Sequence, residues 1–84
     1  VDFVYLYSGS LYPIETKAGK TGTLRSLHEF MDASELTTAF RLYSAAARTD
    51  TVHTRSGKAF TLYSLPYYLA GRIGGIIKEI SAAH

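Results

Sequence analysis

Residues 11–19 read Leu-Tyr-Pro-Ile-Glu-Thr-Lys-Ala-Gly, and the small residues after the lysine favour a β-strand that ends at Gly19. Side chains two apart on a strand point to the same face, so Glu15 and Lys17 are expected to share a face and Thr16 to point to the other. Strand faces are mostly half buried. A carboxylate and an ammonium group side by side on such a face therefore need a structural or functional reason.

A second strand is predicted just before this one. Residues 2–8, Asp-Phe-Val-Tyr-Leu-Tyr-Ser, are rich in aromatic and β-branched residues. A two-residue turn at Gly9-Ser10 would join the two strands into a hairpin. In that register Asp2 faces Lys17, and both lie on the face of Glu15. The opposite face is expected to belong to the core, with Phe3, Tyr5, Tyr7, Ile14 and Thr16.

This hairpin resembles a known motif. Val-Asp-Phe-Val at residues 1–4 and Pro-Ile-Glu-Thr-Lys-Ala-Gly at residues 13–19 resemble the PD-(D/E)XK nuclease superfamily. They are more closely similar to a C-terminal domain of unknown function in bacterial and archaeal P-loop (AAA-type) ATPases, whose pattern is Glu-Val-Asp-Phe, a hairpin and Pro-Ile-Glu-Val-Lys-Ala-Gly. The resemblance continues through Ser26-Leu27, the strand carrying Arg41 and Leu65-Pro66-Tyr67, so it spans nearly the whole chain.

The resemblance implies that residues 1–84 are a single domain fragment, the C-terminal part of a nuclease-like domain that follows an N-terminal ATPase domain. The chain departs from the family pattern at Thr16, where Val is more usual. It also lacks the acidic residue often found before Val1, and the helix and strand that precede the motif. The expected fold is therefore a restriction-endonuclease-like α/β domain that is truncated at its N-terminus.

The resemblance also implies a site for metal-assisted phosphodiester hydrolysis. Asp2, Glu15 and Lys17 would be the catalytic residues. The two carboxylates and the backbone carbonyl of Thr16 would bind Mg²⁺ or Mn²⁺, which prefer oxygen ligands. The lysine would orient the attacking water or offset charge developing on the phosphate. Sequence-independent contacts to the nucleic-acid backbone would come from Lys20 and Arg25.

Other interpretations remain open on the residues alone. From spacing alone, a surface ion pair between Lys17 and the two carboxylates is as well supported as a site, and such pairs contribute only ~0–1 kcal/mol. The chain is alternatively a non-catalytic module attached to an ATPase that binds nucleic acid or protein. It is also compatible with an oligomerisation domain that uses the Tyr-rich hairpin, and a homo-oligomer is expected.

Composition sets further bounds. The 84 residues suffice for one small domain, and a hydrophobic fraction of 46% is enough for a packed core. With no Cys, disulfides and Cys-based zinc sites are excluded. The net charge of +2 permits an anionic partner without requiring one. Nothing resembles a signal peptide, and no apolar run reaches the ~18 residues of a membrane span, so a cytoplasmic protein without membrane contact is expected.

A loop at residues 19–22, Gly-Lys-Thr-Gly, superficially resembles a phosphate-binding P-loop. A P-loop has a Gly five positions before the Gly that precedes its Lys-Thr pair. Here Gly19 precedes Lys20, and the position five residues earlier is Ile14. The sequence therefore predicts that this chain has no intrinsic ATP site.

The remaining periodicities predict the order hairpin, helix, strand, strand, helix around a small mixed sheet. The third strand should run parallel to the second through a right-handed crossover. Both helices are expected on the face that carries Phe3 and Tyr5. The predicted elements after the hairpin are a helix over 24–34, a strand over 38–45, a short strand over 51–54, a strand over 59–64 and a final helix opened by Leu65-Pro66.

Two polar residues outside the hairpin are given structural interpretations. Arg41 lies on the third strand, and a salt bridge to an acidic neighbour is preferred over a role at the acidic site. His53 stands among Thr and Arg residues in a polar stretch and is expected to be a solvated surface residue.

Overall fold

The computed structural model of the chain describes residues 1–16 and 24–83. They form one mixed sheet of five strands in the order β1-β2-β3-β5-β4, with two α-helices. The strands are β1 (Phe3–Tyr7), β2 (Ser10–Thr16), β3 (Thr38–Tyr43), β4 (Arg48–His53) and β5 (Ala59–Pro66). The helices are α1 (Arg25–Ala33) and α2 (Ile73–Ala82), and a 3₁₀ helix, Tyr67–Arg72, leads into α2.

The three central strands are parallel. β3 lies between β2 and β5 and runs parallel to both, whereas β1 and β4 are antiparallel edge strands. The predicted parallel pairing of the second and third strands is therefore confirmed. Since parallel strands end at the same edge of a sheet, the carboxyl ends of β2, β3 and β5 lie together, which is where α/β sheets usually bind ligands.

The hairpin turn differs from its prediction. The turn residues are Ser8 and Gly9, with φ of 51° and 81°, rather than Gly9 and Ser10. Tyr7 pairs with Ser10 and Phe3 with Ile14, so the register is displaced by two residues. Positive φ at both central residues is characteristic of a type I′ turn. The twist of this turn matches that of the flanking strands, and Gly is favoured at its second central position. A displacement of two keeps every side chain on its predicted face.

The helices cover opposite faces of the sheet, so the prediction that both share one face is wrong. Alternate residues of the central strands point to opposite sides, and each side contributes a cluster of buried apolar residues. On one side the buried residues are Leu27 and Met31 of α1 with Ala39, Phe60 and Leu62. On the other side they are Ile73 and Ile77 of α2 with Ile14, Phe40, Leu42 and Leu65.

The predicted core face of the hairpin is only partly buried. Ile14 is buried and Tyr7 packs against the α2 cluster, but Phe3 is 60% exposed and Tyr5 39% exposed. β1 is an edge strand of the sheet, and only the Tyr5 hydroxyl among these two side chains is shown against α2, at Gly74. The alternation of aromatic residues indicated a strand but could not show how far the helix would reach.

The final helix begins later than predicted. Pro66 is the last residue of β5, with an extended ψ of 150°, and the α-helix starts only at Ile73. The intervening six residues form the 3₁₀ helix, which contains Gly71, a poor helix former. An apolar stripe at helical spacing faces the sheet, and two of its residues, Ile73 and Ile77, are buried. Three further stripe residues pack against the same cluster, namely Leu69, Ile76 and Ile80.

A lysine joins the β4–β5 hairpin to the end of α1. The Lys58 Nζ donates hydrogen bonds to the carbonyl oxygens of Met31, at 2.7 Å, and of Ser34, at 2.5 Å. The last carbonyl groups of a helix lack partners within it, and a cation is favourable there.

The strand β4 is longer than the predicted 51–54. It pairs with β5 over six residues, Arg48–His53.

Candidate functional site

Glu15 lies near the carboxyl end of β2 and is buried, with only 4% of its surface exposed. β2 lies between β1 and β3, so Glu15 belongs to an interior strand of the sheet. Its Oε1 lies 3.1 Å from the α-amino group of Val1. A buried carboxylate is tolerated only when a positive group or hydrogen-bond donors accompany it, and this ammonium group is such a partner.

Asp2 is held against the same segment of β2. Its backbone N–H donates to the carbonyl oxygen of Ile14 at 3.1 Å, and its Oδ2 accepts a hydrogen bond from the Thr16 N–H at 2.7 Å. These two bonds reach the residues on either side of Glu15. Among the described residues nothing donates to the other oxygen of Asp2, Oδ1. The hairpin thus brings the two predicted carboxylate residues together.

The remaining predicted residues of this site are outside the part of the chain that the structure describes. Lys17 and Lys20 fall within residues 17–23. The convergence of Asp2, Glu15 and Lys17 on one surface therefore stays a prediction. Within residues 1–16 and 24–83, no group of three or more His, Asp or Glu side chains is arranged to hold a metal ion. The loop compared above with a P-loop also lies largely outside the described residues.

Arg41 is the neighbour of Glu15 on β3. Glu15, Arg41 and Ser64 are register partners across three parallel strands, so their side chains share one face. The Arg41 Nε donates to the Ser64 Oγ at 3.0 Å, and the guanidinium carbon lies 4.5 Å from the ring centroid of Tyr43. The preferred interpretation of a salt bridge is wrong for the described residues, where no carboxylate pairs with Arg41. The serine lies 23 residues away, so only the sheet register reveals this contact.

Arg25, the other predicted nucleic-acid contact, lies on the exposed side of α1. Its Nε is 3.1 Å from the Oε1 of Glu29 one helical turn away, and both side chains are largely exposed. Together with His28 and Arg55 they line an open cleft of about 380 Å³. Such an exposed pair contributes little stability and leaves the guanidinium accessible to solvent and anions.

His53, the last residue of β4, is exposed. This agrees with its interpretation as a solvated surface residue.

Asp32 has a structural task that the sequence did not indicate. Its Oδ1 accepts hydrogen bonds from the Thr54 Oγ1, at 2.7 Å, and from the Ser56 Oγ, which links α1 to the β4–β5 hairpin. The hydrogen bond from Ser56, and then that from Thr54, lower the pKa of the carboxyl group. A lowered folded-state pKa stabilises the fold at neutral pH, and the effect is lost as the pH falls through that pKa.

Comparison of the chain with protein-family models, with curated proteins and with solved structures finds no match. The resemblance to the nuclease superfamily is neither supported nor contradicted by these comparisons. No helix among the described residues is long and apolar enough to cross a membrane.

Proposed function

We propose that the chain is a nuclease-like domain of an ATPase, built for Mg²⁺-dependent phosphodiester hydrolysis or retaining the remnant of such a site. The observation that carries this proposal is the burial of Glu15 beside Asp2 at the carboxyl end of a parallel strand. A carboxylate is seldom buried for stability alone, because its desolvation costs more than an ordinary packing residue would. The parallel pairing of β2 with β3, which the strand–helix–strand order predicts, puts the carboxyl ends of these two strands at one edge, where α/β sheets usually bind ligands.

The residues present fit a weakly held divalent ion. Mg²⁺ typically takes one or two carboxylates and completes its shell with waters and substrate phosphate, so it does not need three acidic side chains. Glu15 would supply one carboxylate, and Asp2 would supply its Oδ1, which accepts no hydrogen bond from the residues that the structure describes. The backbone carbonyl of Thr16 would add the third oxygen.

Each residue then has a stated task. Asp2 and Glu15 would hold the ion, which when bound lowers the pKa of a water molecule and stabilises charge on phosphate oxygens. Lys17 would donate a hydrogen bond to the reacting phosphate or orient the attacking water. Lys20 and Arg25 would contact the nucleic-acid backbone without reading sequence. A cytoplasmic location fits a domain that acts on nucleic acid beside an ATPase.

Calorimetric titration with Mn²⁺ tests the proposed site. We expect weak binding to the wild-type protein and its loss in Glu15→Gln, because the amide removes the negative charge that the ion needs while keeping the shape of the side chain. Glu29→Gln is the matched control, since Glu29 is exposed on α1 and pairs only with Arg25 among the described residues. That variant should bind Mn²⁺ like the wild type.

Two results would count against the proposal. If the wild-type protein binds no Mn²⁺, the active-nuclease proposal fails and the site is at best a remnant. If Glu15→Gln and Glu29→Gln weaken binding equally, the ion is held by general surface charge rather than by the hairpin. Circular dichroism of each variant shows whether the fold is kept.

A second candidate function, an oligomerisation module, is favoured by the exposed edge of the sheet at β1. This strand carries no charged residue, and Phe3, Val4, Tyr5 and Leu6 are all exposed. The opposite edge strand, β4, carries charged side chains, which is how proteins usually prevent edge pairing. The occupant that β1 fits is a second copy of itself, because antiparallel pairing about a two-fold axis brings no like charges together.

Leu6→Lys tests this pairing, because it places a charge in the middle of the edge strand. Light scattering should show a dimer or larger oligomer for the wild-type protein and a monomer for the variant. Tyr68→Lys is the control, since Tyr68 is 83% exposed but lies outside the sheet. A wild-type protein that remains monomeric at high concentration would contradict the oligomerisation module.

A further inference from the structure

The side chain of Arg41 is half-buried and is held in place by two neighbours. Its Nε is tied to Ser64, which is completely buried, and its guanidinium plane is held over the ring of Tyr43. The Tyr43 hydroxyl in turn donates a hydrogen bond to the Ala46 carbonyl oxygen at 2.5 Å, which fixes the ring. The orientation of the guanidinium is therefore set before any ligand arrives.

The two terminal nitrogens of Arg41 donate no hydrogen bond and make no ion pair within residues 1–16 and 24–83. Two exposed arginines have a carboxylate partner, since Arg25 pairs with Glu29 and Arg48 with Asp50. A half-buried guanidinium with an anchored Nε and two free terminal groups is suited to bind an oxyanion, because the planar fork matches phosphate oxygens.

We infer that Arg41 binds a phosphate group of the nucleic-acid substrate beside the carboxylate site, with Ser64 and Tyr43 as positioning residues. The inference rests on the proposed function for the identity of the anion. Its geometric basis is the register, which places Arg41 next to Glu15 on the same face, at the shared carboxyl ends of the parallel strands. A phosphate held there would lie next to the oxygen ligands of the metal.

An arginine at this position also offsets a cost of the site. Two carboxylates close together repel a polyanionic substrate, and a neighbouring cation reduces that repulsion. Lysine would be a poor substitute, because it has neither the planar fork nor the Nε that bonds to Ser64. The role proposed for Arg41 thus depends on its shape as well as on its charge.

Binding of a fluorescent oligonucleotide, measured by anisotropy without metal over a range of salt concentrations, tests the inference. We expect Arg41→Gln to weaken binding about tenfold or more, as the loss of a charge-assisted pair predicts. The slope of log affinity against log salt should fall by about 0.9 for duplex DNA, because one phosphate contact is lost. Arg41→Lys should recover the salt slope but only part of the affinity.

Arg72→Gln is the matched control, because it removes the same charge from an exposed position at the start of α2, away from the α1 side of the sheet. It should change affinity less than twofold. If Arg41→Gln has no larger effect than Arg72→Gln, or if the wild-type protein binds no oligonucleotide, the inference is overturned. The Mn²⁺ titration decides the proposed function separately, so loss of the Arg41 effect with retained metal binding removes only the inference. If oligonucleotide affinity depends on Arg41 but the protein binds no Mn²⁺, the proposed nuclease site is rejected and the inference about Arg41 stands.

Discussion

Lys17→Ala is expected, under the proposed function, to lower the rate of metal-dependent phosphodiester hydrolysis at least about a hundredfold, because it removes the positive hydrogen-bond donor that the proposal assigns to charge developing only in the transition state. Metal binding should be unchanged, since the proposal assigns the ion to the oxygens of Asp2 and Glu15 rather than to the lysine. Single-turnover hydrolysis of an oligonucleotide at saturating Mn²⁺, together with calorimetry, measures the two effects separately.

Lys20→Ala is the control for this prediction. A residue that contacts only the nucleic-acid backbone contributes equally to the ground state and the transition state, so its loss should raise KM and leave kcat nearly unchanged. If Lys17→Ala behaves in the same way, the lysine contacts the backbone and takes no part in the chemical step. If it abolishes metal binding as well, its task is to hold the carboxylates in place.

The strands and the parity of the hairpin could be predicted because they depend on local patterns. Alternating aromatic and β-branched residues specify β1, and an odd or even displacement of register decides which face a side chain takes. The turn at Ser8 and Gly9 moved the register by two, and Asp2 still came to lie beside Glu15. The position of Asp2 against the segment of β2 that carries Glu15 was therefore insensitive to the error in the turn.

The placement of the helices could not be predicted in the same way. The apolar stripe of α2 showed that it would pack on the sheet, but both faces of β3 contribute buried apolar residues, since Ala39 and Phe40 are equally buried. The apolar stripe of a helix does not show which of the two faces of the sheet the helix will cover. The contact between Arg41 and Ser64 was equally hidden, because it joins strands whose pairing depends on the whole sheet topology.

Phe40→Ala is expected to destabilise the fold more than any other single truncation considered. Phe40 has no exposed surface and lies on the central strand of the sheet. Its ring stacks on Tyr63 with 5.2 Å between centroids and meets the edge of Tyr12 at 6.4 Å. Truncating a buried Phe typically costs about 3–5 kcal/mol, which is a large share of the about 5–15 kcal/mol that holds an ordinary domain folded. Urea denaturation followed by circular dichroism measures this loss.

Phe3→Ala provides a control with the same chemical change at an exposed position, since Phe3 is 60% exposed on the edge strand. In a monomer, Phe3→Ala should change the free energy of unfolding by no more than about 0.5 kcal/mol, as other surface substitutions do. The comparison also bears on association, because pairing of β1 with a second copy would bury Phe3. The cost of Phe3→Ala should then increase with protein concentration, because the free energy of association adds to that of folding. The cost of Phe40→Ala should be large at every concentration, since α2 and the sheet of the same chain already enclose that ring.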